Sequence, residues 1–317
     1  MREFDLIGRL LRPLARQAKE SLGLEDDAAV LAVAPDRELV ATLDMMAAGR
    51  HYLDGDDPAL VARKLVRVNL SDLAAMGATA RGILLGYAAR GDLDEDAARR
   101  FVEGLGRDLE HFSLALLGGD TISQARGEVF SLTALGEVPK GEALRRCGAR
   151  AGDLLYLSGT LGDAPLGLAA LKGELARREA WIERFYLPSP RLSLGQRVRP
   201  IAHAAIDVSD GLVADAGHMA RTSGVRLVID RARLPLSADT CRLLAEQPEW
   251  WTRVLTGGDD YELLLAVPPE GRDDLMRAAQ AARTPLAWIG RVEAGEGVTV
   301  RDEAGRALSF AHPGFVH

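Results

Sequence analysis

The residues with the clearest chemical potential are aspartates that stand beside small residues or directly after apolar segments. They occur at seven places: Asp26-Asp27, Asp44, Asp72, Asp120, Asp207, Asp210 and Asp259-Asp260. A single aspartate of this kind is most simply a cap or a turn residue. Because several of the seven follow apolar strands, the set together predicts a group of carboxylates at one end of a sheet.

Such a group would suit magnesium and nucleotide chemistry. Mg²⁺ prefers oxygen ligands, usually one or two carboxylates per ion with water and substrate phosphates. Several ions held in this way would support phosphoryl transfer. The sequence contains neither a G-x-x-x-x-G-K-S/T loop nor a Rossmann G-x-G-x-x-G after a strand. A nucleotide would therefore be bound through metal-bridged phosphates, and turns are the simpler explanation of the Gly118-Gly119 and Gly257-Gly258 pairs.

The elements that must position these aspartates are mixed strands and helices. A helix is predicted from Pro58 to about residue 76 with Gly77 as its stop, and Asp94 is predicted to cap a second helix. Strands are predicted in the first half of the chain at 28–33, 38–43, 82–88, 114–117 and 129–135. The class is α/β or α+β. The pattern breaks around 141–152, which predicts one domain over residues 1–145 and another over 146–317.

Net charge, cysteine content and hydropathy argue against several classes of function. The chain has 317 residues with a net charge of −7, which argues against a nucleic-acid partner. Its two cysteines, Cys147 and Cys241, are far apart and favour reduced thiols in the cytoplasm. Apolar runs long enough for a signal peptide or a membrane span are missing. We therefore expect a cytoplasmic protein with no membrane partner.

Longer motifs carry a family resemblance over nearly the whole chain. The most specific is N-L-S-D-L-A-A-M-G-A at residues 69–78. The others stand in fixed order: DDAA at 26–29, GGDT at 118–121, RCGA at 146–149, SGTLGD at 158–163, DVSDGL at 207–212 and GGDDYEL at 257–263. Together they make the chain similar to the thiamine-monophosphate kinases, within the aminoimidazole ribonucleotide synthetase-like superfamily.

The resemblance implies a fold and a set of roles. The implied fold is an N-terminal domain that binds ATP and Mg²⁺ and whose sheet pairs across a homodimer, followed by an α+β domain. The implied ligands of several Mg²⁺ ions are Asp27, Thr42, Asp44, Asp72, Asp120, Asp207 and Asp210. The implied nucleotide contacts are Gly119, Asp120, Arg146 and Ser209. The implied contacts to thiamine monophosphate are His51, Asp259 and Phe315. The residues expected to act directly in catalysis are Asp44, Asp72, Asp120 and Arg146.

The implied reaction is in-line transfer from ATP to the phosphate of thiamine monophosphate, the last step of thiamine diphosphate biosynthesis. A phosphate nucleophile is already ionised at neutral pH, so a strong general base is not required. Repulsion between two polyanions is the obstacle, and Mg²⁺ with Arg146 would relieve it.

Two alternatives stay open at this point. One is an ATP-using enzyme of the same superfamily with a different acceptor. The other is a catalytically weak relative that binds thiamine phosphates or nucleotide as a sensor. Glu25, where the family usually has Gly, and Leu43, where it commonly has Thr, favour the sensor.

Overall fold

The computed structural model describes residues 5–15, 18–26, 28–91, 94–124 and 127–314. Tertiary contacts divide the chain into two compact units. Unit 1 extends to Leu73 and resumes over Thr79–Gly141, whereas unit 2 contains Ala74–Ala78 and the chain from Glu142 onward. Each unit contains a sheet and helices, which confirms the predicted mixed class. The domain division after residue 145 stays a prediction.

Unit 1 is built on a four-stranded sheet with the order β1-β4-β2-β3. Its strands are β1 Arg37–Ala47, β2 Thr79–Arg90, β3 Ala115–Gln124 and β4 Val129–Pro139. The β2–β3 pair is parallel, and β4 runs antiparallel to both β1 and β2. The two edge strands are therefore β1 and β3.

The helical elements of unit 1 lie before β1 and between the strands. They are a π-helical turn Leu6–Leu11, α1 Arg12–Ala15, a 3₁₀ segment Lys19–Leu24, α2 Pro58–Ala75 and α3 Glu95–Phe112. The Asp94 side chain accepts a hydrogen bond from the Asp96 N–H at 2.9 Å, which confirms the predicted cap. Phe101 of α3 stacks on Phe130 of β4 at a ring distance of 4.4 Å, so one face of the sheet is covered.

The other face of this sheet exposes large apolar side chains. They are Leu39, Leu43, Met45, Leu84 and Ile122. Because side chains alternate along a strand, Leu43 and Met45 of β1 lie opposite Thr42 and Asp44. The predicted strand at 28–33 is wrong: residues 28–34 pair with no strand, and most of their side chains are exposed.

Unit 2 contains a six-stranded sheet with the order β10-β7-β9-β5-β8-β6. Its strands are β5 Leu154–Ser158, β6 Ala204–Asp207, β7 Arg226–Asp230, β8 Leu263–Val267, β9 Leu286–Glu293 and β10 Gly297–Arg301. Only β10 and β7 pair in parallel; the other neighbours are antiparallel.

Helices cover both faces of the second sheet. The α-helices are α4 Asp163–Leu171, α5 Glu179–Tyr186, α6 Leu192–Val198, α7 Leu212–Ser223, α8 Ala238–Glu246, α9 Trp251–Thr256 and α10 Arg272–Ala281. Leu155 and Leu157 of β5 join one core cluster with α7, whereas Tyr156 joins the other with α6 and α10. The alternation explains why the strand is buried on both sides.

Among the described residues, no helix has both the length and the apolar content needed to cross a membrane.

Candidate active site

In unit 1, strand β1 and helix α2 hold a group of oxygen-bearing side chains together. The Thr42 hydroxyl donates a hydrogen bond to Oδ2 of Asp72 at 2.5 Å. The backbone N–H of Asp44 donates to Oδ1 of Asn69 at 3.0 Å, and the Asn69 amide donates to the Leu65 carbonyl at 2.9 Å. Residues 65, 69 and 72 follow the spacing of one helix face, so α2 presents Asn69 and Asp72 toward β1. We call Thr42, Asp44, Asn69 and Asp72 the β1–α2 group.

The expectation that the aspartates stand at the ends of strands is wrong for two of them. Asp44 lies inside β1 and Asp120 lies inside β3. Aspartate is disfavoured in strands, but both strands are edges of their sheet, where one side of the backbone needs no partner strand. Asp72 lies within α2, as predicted.

Asp120 is separated from the β1–α2 group by the width of the sheet. The register aligns Asp44, Leu132, Leu85 and Gly119 across the four strands, which span about 14 Å at three strand spacings. Asp120 is the next residue of β3, so it lies on the opposite face from Gly119. Its carboxylate accepts a hydrogen bond from the Thr121 N–H at 2.9 Å. The predicted metal ligands of unit 1 therefore form two groups.

A cavity of about 640 Å³ in unit 1 adjoins Asp120. Asp26, Gly118, Gly119 and Asp120 line it together with several leucines. A side chain at Gly119 would place its Cβ 2.0 Å from the Leu85 carbonyl oxygen, so only glycine allows this close strand contact. Asp27, a predicted metal ligand, lies outside the described residues.

His51 lies in the turn that follows β1. Its Nδ1 accepts a hydrogen bond from the Ala47 N–H at 3.1 Å, so in the neutral ring the proton is on Nε2. Lys64, which is only 1% exposed, donates through Nζ to the His51 carbonyl at 3.1 Å. The turn is therefore held by a buried cation that the sequence did not single out.

In unit 2, the turn between β6 and α7 contains Asp207, Ser209 and Asp210. Asp207 is the last residue of β6 and is buried. Oδ2 of Asp215, in the first turn of α7, accepts three backbone N–H bonds, from Ser209 at 3.0 Å, Asp210 at 3.0 Å and Gly211 at 3.1 Å. Burial raises the pKa of the Asp215 carboxyl well above its usual range, the nearby Asp207 and Asp210 raise it further, and the N–H bonds oppose the shift.

The segment 257–262 packs directly against this turn. The Asp259 N–H donates to the Ser209 carbonyl and the Tyr261 N–H to the Val208 carbonyl, each at 2.8 Å. Asp259 and Tyr261 adopt φ of 72° and 51°, an unfavourable region for non-glycine residues. The Tyr261 hydroxyl donates to Oδ1 of Asp259 at 3.2 Å. The fold therefore brings the predicted residues Ser209, Asp210 and Asp259 together.

Two buried acids, Asp260 and Glu262, each directly follow one of these strained positions in the chain. Asp260 accepts an N–H bond from Gly162 at 2.8 Å at the start of α4. Glu262 accepts from Ser158 Oγ at 2.6 Å and pairs with Arg184 at 2.7 Å and Arg191 at 2.6 Å. Both acids are fully buried. Sequence reasoning missed Glu262 because its partners are distant along the chain.

The remaining predicted residues lie at the surface or near the C-terminus. The Arg146 side chain is exposed, and its carbonyl accepts a hydrogen bond from Ser223 Oγ at 3.4 Å. Phe315 lies outside the described residues. An open cavity of about 730 Å³ is lined by Glu249, Trp250, Thr252, Arg253, Thr256, Gly257, His312 and Gly314.

Known proteins resemble the chain in both units. The model of the AIR synthase related protein, N-terminal domain, matches residues 25–138, and that of the C-terminal domain matches residues 150–303. The thiamine-monophosphate kinase of Caulobacter vibrioides is 43% identical over 319 residues, covering 99% of this chain and 90% of the relative. That of Escherichia coli strain K12 is 38% identical over 325 residues, covering 99% and 98%. The chain belongs to the thiamine-monophosphate kinase family.

Solved structures of this family share the fold. A thiamine-monophosphate kinase from Stenotrophomonas maltophilia K279a superposes with a TM-score of 0.86 at 37% identity, covering 97% of this chain and 98% of that one. AaThiL complexed with AMPPCP and TMP gives a TM-score of 0.78 at 31% identity, covering 100% and 99%. The chain is thus an ATP-dependent phosphotransferase, as its family is.

The donor atoms that each unit holds fit the metal that the family implies. Thr42, Asp44 and Asp72 offer hydroxyl and carboxylate oxygens in unit 1, and Asp207 and Asp210 offer carboxylates in unit 2. Hard oxygen ligands of this kind suit Mg²⁺ better than a soft transition metal. Oδ2 of Asp72 faces the Thr42 hydroxyl, so two candidate ligand atoms already lie side by side.

Proposed function

We propose that this chain transfers the γ-phosphoryl group of ATP to the phosphate of thiamine monophosphate, giving ADP and thiamine diphosphate. The observation that carries the proposal is the β1–α2 group, in which Thr42 donates a hydrogen bond at 2.5 Å to Asp72, a residue of the family's most specific motif. The structure of the relative AaThiL is a complex with AMPPCP, an ATP analogue, and TMP.

The chemistry of the acceptor explains why the site is rich in aspartate. The attacking oxygen of a phosphate is ionised at neutral pH, so the enzyme has to align two polyanions rather than remove a proton. His51 fits this role as a hydrogen-bond donor through Nε2, because its Nδ1 is already used by the Ala47 N–H. Arg146, exposed on unit 2, supplies a permanent positive charge for the nucleotide phosphates.

Mg²⁺ would supply charge neutralisation at the transferred phosphoryl group. We assign its ligands to Asp27, Thr42, Asp44, Asp72 and Asp120 in unit 1 and to Asp207 and Asp210 in unit 2. In unit 1 the hydroxyl of Thr42 orients the Asp72 carboxylate, and Asn69 fixes the backbone at Asp44. Gly119 and Ser209 are assigned to ATP.

The acceptor subsite of unit 2 is assigned to the cavity lined by Trp250, Gly257 and His312. Gly257 lies two residues before Asp259. Gly314 also lines the cavity, and a Cβ on it would lie 2.8 Å from the Asp210 carbonyl oxygen. Aromatic rings of the acceptor can stack on Trp250. Phe315, which lies outside the described residues, is assigned to thiamine monophosphate on the family resemblance alone.

A homodimer and a cytoplasmic location belong to the same proposal. The outer face of the unit 1 sheet exposes Leu39, Leu43, Met45, Leu84 and Ile122, and exposed apolar side chains on one sheet face are of the kind that marks an interface. A second copy of this chain covers it. Two exposed free cysteines suit a reducing cytoplasm, where ATP is available.

The departures from the family pattern at Leu43 and Glu25 leave the β1–α2 group intact. Leu43 is 54% exposed and lies on the sheet face opposite to Thr42 and Asp44. Glu25 pairs with Arg12 at 3.0 Å. Neither residue touches the Thr42–Asp72 contact, so these observations favour the kinase over the sensor.

The test uses purified protein with ATP and Mg²⁺ and three acceptors in parallel: thiamine monophosphate, thiamine and inorganic phosphate. We expect thiamine diphosphate from the first acceptor only, with no product in EDTA. Thiamine is the matched control, because its hydroxyl needs a general base that a phosphate does not. Phosphorylation of thiamine at a similar rate, or no product from any acceptor, would contradict the proposal.

A further inference from the structure

The β6–α7 turn contains an arrangement that the assigned ligands do not explain. A single carboxylate oxygen, Oδ2 of Asp215, accepts the N–H groups of Ser209, Asp210 and Gly211. Asp215 is 3% exposed and lies in the first turn of the 12-residue helix α7. It is neither one of the assigned metal ligands nor close enough to the surface to be a simple solvated acid.

These three N–H groups are those that a phosphate would otherwise use. Successive backbone N–H groups at a turn can form a concave site that attracts anions. The N–H groups of Ser209, Asp210 and Gly211 lie in the turn directly before α7, and an acid of the same chain takes all three, so this turn cannot serve as a phosphate cradle. Oδ2 accepts these hydrogen bonds whether the Asp215 carboxyl is ionised or protonated, because a proton would be on Oδ1.

The consequence is a fixed backbone conformation at this turn. With its N–H groups turned toward Asp215, the turn directs the Ser209 and Val208 carbonyls to the Asp259 and Tyr261 N–H groups. Ligand atoms of Asp210, Asp215 and His218 lie within 4.8 Å of one another. His218 faces the Arg221 guanidinium through Nδ1 at 3.0 Å. The N–H groups of the turn are thus occupied, whereas the Asp210 carboxylate lies in a cluster of possible metal ligands.

We propose that Asp215 is the positioning residue of this turn: by occupying its three N–H groups, it makes the turn a cation site and excludes direct binding of phosphate by the backbone of the turn. The inference rests on the proposed function only in taking Asp207 and Asp210 as Mg²⁺ ligands. Asp215 acts through those residues and does not itself touch substrate.

The first experiment measures Mn²⁺ binding in the presence of AMPPCP by electron paramagnetic resonance. The Mn²⁺ ions that are lost in Asp210→Asn are the ions that bind at this turn. Asp215→Ala removes the acceptor, and we expect the same ions to bind about tenfold more weakly or worse, as when an outer partner of a metal ligand is lost. Asp215→Asn keeps an acceptor oxygen and should bind them nearly as the wild type does, and added formate should restore binding in Asp215→Ala.

Asp163→Ala is the matched control. Asp163 is also a buried acid in the first turn of a helix, and it accepts from Ser237 Oγ at 2.6 Å and Thr240 Oγ1 at 2.7 Å. Its loss should lower stability without changing Mn²⁺ affinity. Wild-type affinity in Asp215→Ala would overturn the proposal, and so would equal weakening in Asp215→Asn.

A second measurement needs no variant. Amide signals of Ser209, Asp210 and Gly211 are followed by NMR in the wild type. Inorganic phosphate alone should leave them unchanged, whereas Mg²⁺ should shift them. Saturable shifts with phosphate in the absence of metal would refute the inference. Because neither experiment measures turnover, wild type that binds Mn²⁺ but makes no thiamine diphosphate would refute the proposed function alone.

Discussion

The two units hold their carboxylates in different ways. In unit 1, Asp44 and Asp72 lie inside a regular strand and a regular helix, and their partners are the side chains of Asn69 and Thr42. In unit 2, Asp210 lies on an irregular turn whose backbone is fixed by Asp215. The difference teaches that a ligand on a regular element can be replaced without loss of the fold. A ligand on a turn depends on buried acids that hold the surrounding structure in place, and we call Asp215, Asp260 and Glu262 the anchors of unit 2.

The largest expected effect is on the anchors of unit 2. Glu262→Gln removes the charge that pairs with Arg184 and Arg191, each side chain being 18% exposed. We expect the free energy of unfolding, measured with urea, to fall by about 3 kcal/mol, because two charges are left partly buried without their partner. The control is Asp274→Asn, whose exposed pair with Arg277 contributes no more than about 1 kcal/mol. Equal losses in the two variants would show that the Glu262 cluster is not an anchor.

Substitutions in the β1–α2 group should lower the activity and leave the stability nearly unchanged. Asp72→Asn keeps an oxygen that can accept from Thr42 but removes a charged ligand, so we expect kcat to fall roughly 100- to 1,000-fold with a nearly unchanged melting temperature. Asp44→Asn should do the same. Glu103→Gln, an exposed acid on α3, is the control and should keep full activity. A near-normal rate for Asp72→Asn would remove the metal assignment.

A smaller effect distinguishes ligand orientation from ligand charge. Thr42→Val keeps a β-branched side chain in β1 but loses the hydroxyl that donates to Asp72. We expect the Mg²⁺ concentration for half-maximal activity to rise about tenfold. Thr42→Ser restores the hydroxyl and should return the value to that of the wild type. The same Mg²⁺ requirement in the Val and Ser variants would mean that the hydroxyl does not orient Asp72.

The finest effect is a pH dependence of stability in unit 2. Burial raises the pKa of the Asp260 carboxyl well above its ordinary value of 3.8, and the Gly162 N–H bond and Arg184 only partly oppose this. The folded protein therefore binds the proton more tightly than the unfolded chain, so this stability is present below the ordinary pKa and is lost as pH rises through the raised one. In Asp260→Asn the loss disappears, and the free energy of unfolding relative to wild type should rise as the pH is raised above about 4. Parallel pH curves for variant and wild type would contradict this account.

Local signals were sufficient for the helices that carry the site. Pro58, Gly77 and Asp94 marked the limits of α2 and α3 because caps and breakers act on the backbone within a few residues of themselves. The family motifs identified Asp72 and the 207–212 turn. Propensity failed at Asp44 and Asp120, since it does not register that a strand lies at the edge of a sheet.

The anchors could not be predicted from local sequence. Asp215 looks like a helix residue of the first turn, and only the fold shows that three N–H groups converge on it. Asp260 and Glu262 were seen only as parts of an acidic motif. Their burial depends on α4 and on two arginines that lie far away in the chain.

The most direct test of the kinase assignment follows the transferred group itself. ATP labelled in its γ-phosphoryl group is incubated with thiamine monophosphate, Mg²⁺ and the protein, and the label is located in the product. We predict that it appears in the terminal phosphate of thiamine diphosphate, in equal amount to the ADP formed, and that Asp72→Asn abolishes most of it. Label released only as inorganic phosphate, with thiamine monophosphate unchanged, would contradict the account.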